Sequence, residues 1–171
     1  MARYDTDIAI AEPLANMMLS LIPGACHGCR DAMRAIAGSA PSKVSASQLA
    51  LLLGLTSRHS LFQAMGSHRL PPIARLRDWA RFLYWLVGWE RRHTPLVRQA
   101  WTDGLDPSVC FRTVRRLTGM NWTRARELGV AHWLGHLRRE LGALACESGL
   151  AAKAEDPKST NAQPECPSKA L

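Results

Sequence analysis

Lysine is nearly missing from the middle of this 171-residue chain. Between residues 28 and 142 Lys43 is the only one, although that stretch holds 18 Lys+Arg against 7 Asp+Glu. Long apolar runs are missing too. The longest, Phe82 to Val87, is preceded by Arg77 and Arg81 and falls far short of the roughly 20 residues a membrane-spanning helix needs. No basic segment followed by an apolar run opens the chain, so a secretory leader is not expected. The five cysteines (Cys26, Cys29, Cys110, Cys146, Cys166) are an odd number without framework spacing, which argues against a disulfide scaffold and for a reducing cytoplasm. The chain has no glycine-rich phosphate loop, no paired carboxylate cluster and no nucleophile elbow. Catalysis is therefore not expected, and neither is a cofactor. No alternating strand pattern competes with helical periodicity, so the fold expected is all-α.

The remaining composition is specific. Hydrophobic residues make up 47% of the chain, enough for a core, and the net charge is +8 with a pI near 9.9. The cations of the central stretch are almost all arginine, whose planar fork suits phosphate and guanine. A basic middle between mildly acidic ends favours a polyanionic partner.

Periodicity and capping residues divide the chain into helices. Ile8–Ile22 reads as an apolar helix ended by Pro23-Gly24. Met17, Met18, Leu19, Leu21 and Ile22 on it need covering, by the main domain or by a second copy of the chain, so a homodimer through this helix is one expectation. Arg30–Gly38 is a short helix. Ser45 caps a helix over Ser47–Leu53, with Gln48 placed for a capping box. Gly54 ends that helix, and Thr56 or Ser57 caps the next, to about Ser67 with Leu61, Ala64 and Met65 inward. Pro71-Pro72 then introduces one long helix, Ile73–Arg92, whose Leu76, Ala80, Leu83 and Val87 recur at helical spacing beside Trp79, Trp85 and Trp89. Shorter helices follow over 95–102, from Pro107 to near Gly119, over 123–128 and over 131–144. In the second of these, Val109, Cys110, Val114 and Leu117 fall on the apolar side. The expected organisation is a helical extension (1–28), a DNA-binding domain (29–145) and a disordered tail (146–171).

Two stretches read alike. Gly54-Leu55-Thr56-Ser57-Arg58-His59-Ser60-Leu61-Phe62-Gln63 and Gly104-Leu105-Asp106-Pro107-Ser108-Val109-Cys110-Phe111-Arg112 each place a Gly-Leu turn and small polar residues before a helix with a polar face. This is the second half of a helix-turn-helix unit, and two of them joined by the Ile73–Arg92 helix suggest a reader of duplex DNA. A linker of that kind would hold the two recognition helices about one helical turn apart, roughly 34 Å.

From Arg30 to Leu128 the order of elements resembles the DNA-binding domain of AraC/XylS-type bacterial transcription regulators. Gln48-Leu49-Ala50, Gly54-Leu55-Thr56-Ser57-Arg58 and Leu61 are similar to that family's first unit. Asp106-Pro107-Ser108, Arg112, Arg115-Arg116-Leu117-Thr118-Gly119 and Arg126 are similar to its second. The resemblance implies a sequence-specific regulator of transcription and contact with RNA polymerase. This chain departs from the pattern at Gly104-Leu105, where the family has Gly-Phe and a turn one residue longer. It departs again in the helix before that turn, Val97-Arg98-Gln99-Ala100-Trp101, which lacks the Ile-Ala pair usual there, and at Phe111, where a small polar residue is usual.

The expected DNA-facing residues of the first unit are Arg58 for guanine or phosphate, Gln63 for adenine, and His59 and Phe62 against sugar or a thymine methyl. In the second unit Arg112 is expected at a base edge, with Ser108 and Val109 beside it. Ser57, Arg115 and Arg116 are expected on phosphates, which position the protein without specifying sequence. The alternative reading is a helical protein-interaction adaptor on the same scaffold. Cys26-His27-Gly28-Cys29 and the pair His132 and His136 have zinc-like spacing, but about a hundred residues separate them and structural roles are expected. Asp103 and Asp106 are expected to cap the helix that follows them, and Cys110 to fill core space.

Overall fold

The computed structural model describes residues 2–42, 44–67 and 70–151. Among them the chain forms nine helices and no strand: α1 (Ala2–Leu19), α2 (His27–Gly38), α3 (Ala46–Leu52), α4 (Arg58–Ser67), α5 (Ile73–Arg92), α6 (Leu96–Thr102), α7 (Pro107–Thr118), α8 (Trp122–Glu127) and α9 (Gly129–Ala151). The fold is all-α.

Local chemistry sets most boundaries. Ser45 accepts from the Gln48 N–H at 3.1 Å while the Gln48 side chain accepts from the Ser45 N–H at 2.8 Å, closing a capping box at α3. Asn121 caps α8 by accepting from the Arg124 N–H. Gly119 ends α7 in the left-handed conformation. The end of α5 is less expected: His93 takes that conformation at φ 52°, without being glycine, and its N–H reaches Trp89 O at 2.7 Å.

α5 is the pillar of the fold. It packs against α1, α2, α6, α7 and α9, and every residue from Phe82 to Gly88 is buried. A helical stretch apolar on all sides belongs inside a protein, so the middle of α5 lies within the core, while Glu90, Arg91 and Arg92 at its end are exposed. Trp79, Phe82 and Trp133 form an aromatic cluster between α5 and α9, with the Phe82 and Trp133 rings edge to face at 5.4 Å. Beside it Glu140 of α9 accepts from Arg75 Nε at 2.9 Å, from Arg75 Nη2 at 3.2 Å and from Trp79 Nε1 at 2.8 Å.

α1 is longer than the periodicity suggests at its start and ends at Leu19, ahead of Pro23. Ile10, Leu14, Ala15, Met18 and Leu19 are buried against α2 and α5 of the same chain. The face that called for a covering surface is covered within the chain. At the other end α9 continues beyond Leu144 to Ala151, into the segment expected to be disordered; the rest of that segment, 152–171, lies outside the described residues.

Gly88 is explained by contact. A Cβ there would lie 2.5 Å from Gln99 Oε1 and 3.1 Å from Gln99 Cδ. The Gln99 amide is pinned, because its Nε2 donates to Trp85 O at 3.1 Å and to Thr94 O at 2.8 Å. Alanine in a helix interior is ordinarily better than glycine by about 1 kcal/mol, while overpacking a core costs roughly 1–3 kcal/mol. Gly88→Ala is therefore expected to lower the midpoint of urea unfolding. A raised midpoint would mean that Gln99 swings aside freely.

Candidate nucleic-acid interface

The likeness between the two stretches is a likeness of hydrogen bonds. In the turn after α3, Leu53 N–H donates to Leu49 O at 3.2 Å, Gly54 N–H to Leu51 O at 3.0 Å and Leu55 N–H to Ala50 O at 2.9 Å. After α6, Asp103 N–H donates to Gln99 O at 2.9 Å, Gly104 N–H to Trp101 O at 3.1 Å and Leu105 N–H to Ala100 O at 2.8 Å. Gly54 and Gly104 share φ 67°, a conformation open to glycine and costly for residues with a Cβ. Each turn thus closes on its preceding helix through the same backbone pattern, and α3 then packs on α4 as α6 packs on α7.

The caps reveal a one-residue difference. In the first pair Ser57 Oγ accepts from Ser60 N–H at 3.2 Å, three positions beyond the glycine. In the second, Asp106 Oδ1 accepts from Ser108 N–H at 2.7 Å, two positions beyond it. The hydrogen bonds from Ser108 hold the Asp106 carboxyl below the usual carboxylate range, and the nearby Arg112 adds to this. Asp103, by contrast, does not cap α7; it accepts from Trp85 Nε1 at 3.2 Å and ties the turn to α5.

The shorter turn changes which residues correspond. Gly54 matches Gly104 at an offset of 50, but Ser57 matches Asp106 at an offset of 49. On the second register Leu61 matches Cys110 and Met65 matches Val114, all four buried. Phe62 matches Phe111, and these are 48% and 41% exposed. Gln63 matches Arg112, both exposed. Phe111 is not among the expected contact residues, and the register of the caps places it beside Phe62. In the preceding helices Gln99, 4% exposed, takes the place of buried Leu49. Gln99 is thus a polar core residue whose amide holds the end of α5 and the following loop.

All ten expected contact residues are exposed: Ser57, Arg58, His59, Phe62 and Gln63 on or beside α4, and Ser108, Val109, Arg112, Arg115 and Arg116 on α7. Val109, whose place in the apolar pattern suggested an inward side chain, is 41% exposed, while Cys110, Val114 and Leu117 are buried. Burial pushes the Cys110 thiol up to about 11. The arginines of α7 differ in their surroundings. Arg116 pairs with Asp78 of α5, whose side chain is largely covered, and so fastens α7 to the pillar. Arg112 and Arg115 form no ion pair among the described residues. Arg126, on α8, stacks over Trp89 with its guanidinium carbon 4.1 Å from the ring centroid.

Three large apolar side chains are also exposed in this region. Leu51, Leu52 and Trp101, at the ends of α3 and α6, are 72%, 69% and 67% exposed. The zinc-like residues occupy other places. Cys26 is the N-cap of α2, and His132 and His136 lie next to each other on α9 with ring centroids 5.0 Å apart. No group of three or more His, Cys, Asp or Glu side chains among the described residues is arranged to hold a metal ion, and no helix there is long and apolar enough to cross a membrane. Comparison with protein-family models, with curated proteins and with solved structures yields no match.

Proposed function

We propose that this chain is a sequence-specific regulator of transcription that binds duplex DNA through two helix-turn-helix units, α3–α4 and α6–α7. The observation that carries the reading is the repeated turn geometry, which leaves a polar, partly cationic face uncovered on the second helix of each pair. A helix of this kind fits the major groove, where every base pair presents a distinct set of donors and acceptors. Arg58, Gln63 and Arg112 have the donor chemistry to read base edges. Ser57 and Arg115 would hold phosphates, and Phe62 and Phe111 would lie against sugars or thymine methyls. Arg116 would act chiefly through Asp78, setting the angle of α7. Contact with RNA polymerase belongs to the same proposal.

Selection of bound duplexes from a random pool tests it. The expected result is a short preferred sequence without two-fold symmetry, since one chain carries two unlike reading helices. Affinity should also fall steeply with salt, by roughly 10³–10⁵ between 50 and 200 mM if about 6–10 phosphates are contacted. A second reading is favoured by exposed Leu51, Leu52 and Trp101, because an apolar surface at the end of the first helix of each pair suits a protein partner. In that case the pool would return no preferred sequence.

A further inference from the structure

The first turn of α2 brings together two thiols in unlike surroundings. Cys26 stands at the N-cap, exposed, and its Sγ accepts the Cys29 N–H at 3.5 Å. Cys29, one turn further on, is only 3% exposed. Hydrogen bonding from the Cys29 N–H holds the Cys26 thiol below its ordinary value, as expected for a thiolate at a helix N-terminus. Burial pushes the Cys29 thiol up to about 12, and its contact with Cys26 adds to that. One sulfur is an accessible nucleophile, and the other is a protected thiol within reach of it.

The surroundings of the pair are equally specific. Cys26 and Cys29 open onto a surface cleft lined also by Leu70, Leu141 and Arg138, whose guanidinium gives the cleft a positive charge. On its other side Cys29 lines a cavity of about 120 Å³ with Ala32, Leu55, Leu61 and Met65. Leu61 and Met65 are the core residues of α4, and Leu55 belongs to the turn before it.

We infer that Cys26 and Cys29 are a redox-active dithiol that reacts with a low-molecular-weight disulfide and that its closure alters the packing of α4. The Cys26 thiolate attacks one sulfur of the external disulfide. A bond forms between Cys26 and that sulfur, the external S–S bond breaks, and one thiolate leaves and takes up a proton. Cys29 then attacks Cys26 Sγ, giving up its proton as the second external thiol departs. The protein dithiol has lost two electrons and two protons, and the external disulfide has become two thiols. Cys26, at the N-cap, has extended rather than helical dihedrals and its Sγ accepts the Cys29 N–H at 3.5 Å, and a disulfide brings the two Cβ atoms to about 3.5–4.5 Å. Closure therefore draws Cys29 toward Cys26 and away from the cavity that it lines beneath α4.

The test uses the full chain, equilibrated with oxidised and reduced glutathione, quenched with an alkylating agent and mapped by mass spectrometry. The expected product is a peptide linking Cys26 to Cys29, short of two hydrogens and restored by reductant. Cys29→Ser should stop at a stable Cys26–glutathione adduct, and Cys26→Ser should leave Cys29 unreacted. Amide exchange across Leu61–Met65 should be faster in the oxidised chain than in the reduced one, a readout that does not depend on DNA binding. Full alkylation of both cysteines under oxidising conditions, or a wild-type chain that stops at the glutathione adduct, overturns the dithiol. A formed Cys26–Cys29 bond with unchanged exchange in α4 overturns the coupling.

Discussion

Arg112→Ala should weaken binding to a preferred duplex by about 1–3 kcal/mol, or roughly 5- to 150-fold, and should relax the preference at one position of the site. Arg112 lies in the first half of α7, the part of a recognition helix that meets base edges. It is exposed, forms no ion pair among the described residues, and corresponds to Gln63 in the other unit. Both side chains can make paired hydrogen bonds to one base, arginine to guanine and glutamine to adenine. Lysine lacks the fork, so Arg112→Lys should keep much of the salt dependence and lose the preference. Binding titrations of the variants on the selected sequence and on a scrambled one provide the check. Equal weakening on both duplexes would make Arg112 a phosphate contact. Arg115→Ala is the natural comparison, since it is expected to weaken both duplexes alike.

Trp133→Ala should cost about 3–5 kcal/mol of folding stability, read from denaturant unfolding. Trp133 is 2% exposed. Its ring meets Phe82 at 5.4 Å and Trp79 at 6.4 Å, and its Nε1 donates to Ala125 O at 2.7 Å. One side chain thus joins α9 to the pillar and to α8, and removing it leaves both a large cavity and a carbonyl without that donor. Trp133→Phe retains an aromatic ring, so its loss should be clearly smaller, in the range of about 1–2 kcal/mol for one unmade hydrogen bond and a small void. If the two variants lost the same amount, the stacking would contribute nothing beyond the hydrogen bond.

The helices were legible because their signals are local. Ser45 with Gln48, Gly54 before Ser57, Pro72 before Ile73 and Gly119 after Thr118 each act on backbone groups within a few residues, and each marks a boundary in the structure. That the candidate contact residues are exposed was legible for a related reason: small polar and charged side chains opposite an apolar stripe are left outside when the stripe is buried. The correspondence of Phe111 with Phe62 was hidden because two registers compete in the second unit, and only the cap chosen by Asp106 decides between them. Val109 was ambiguous because an apolar residue at the edge of a stripe can fall on either side of the surface. Asp103 was assigned to the wrong partner because the indole that engages it comes from α5, in another element.

Read along the chain, the residues called for an all-α fold, the helix boundaries at Ser45 and Gly119, the two glycine turns and the concentration of arginine around them, but not the ends of α1 and α9. Folding brings together what the chain order does not show: the middle of α5 is buried all round, α1 is covered by α2 and α5, Arg116 is bound to Asp78, and Cys29, beside Cys26 in the first turn of α2, lines a cavity under α4. The division follows from range. Capping and backbone conformation are settled between neighbours along the chain, whereas burial and ion pairing depend on residues that only folding brings together.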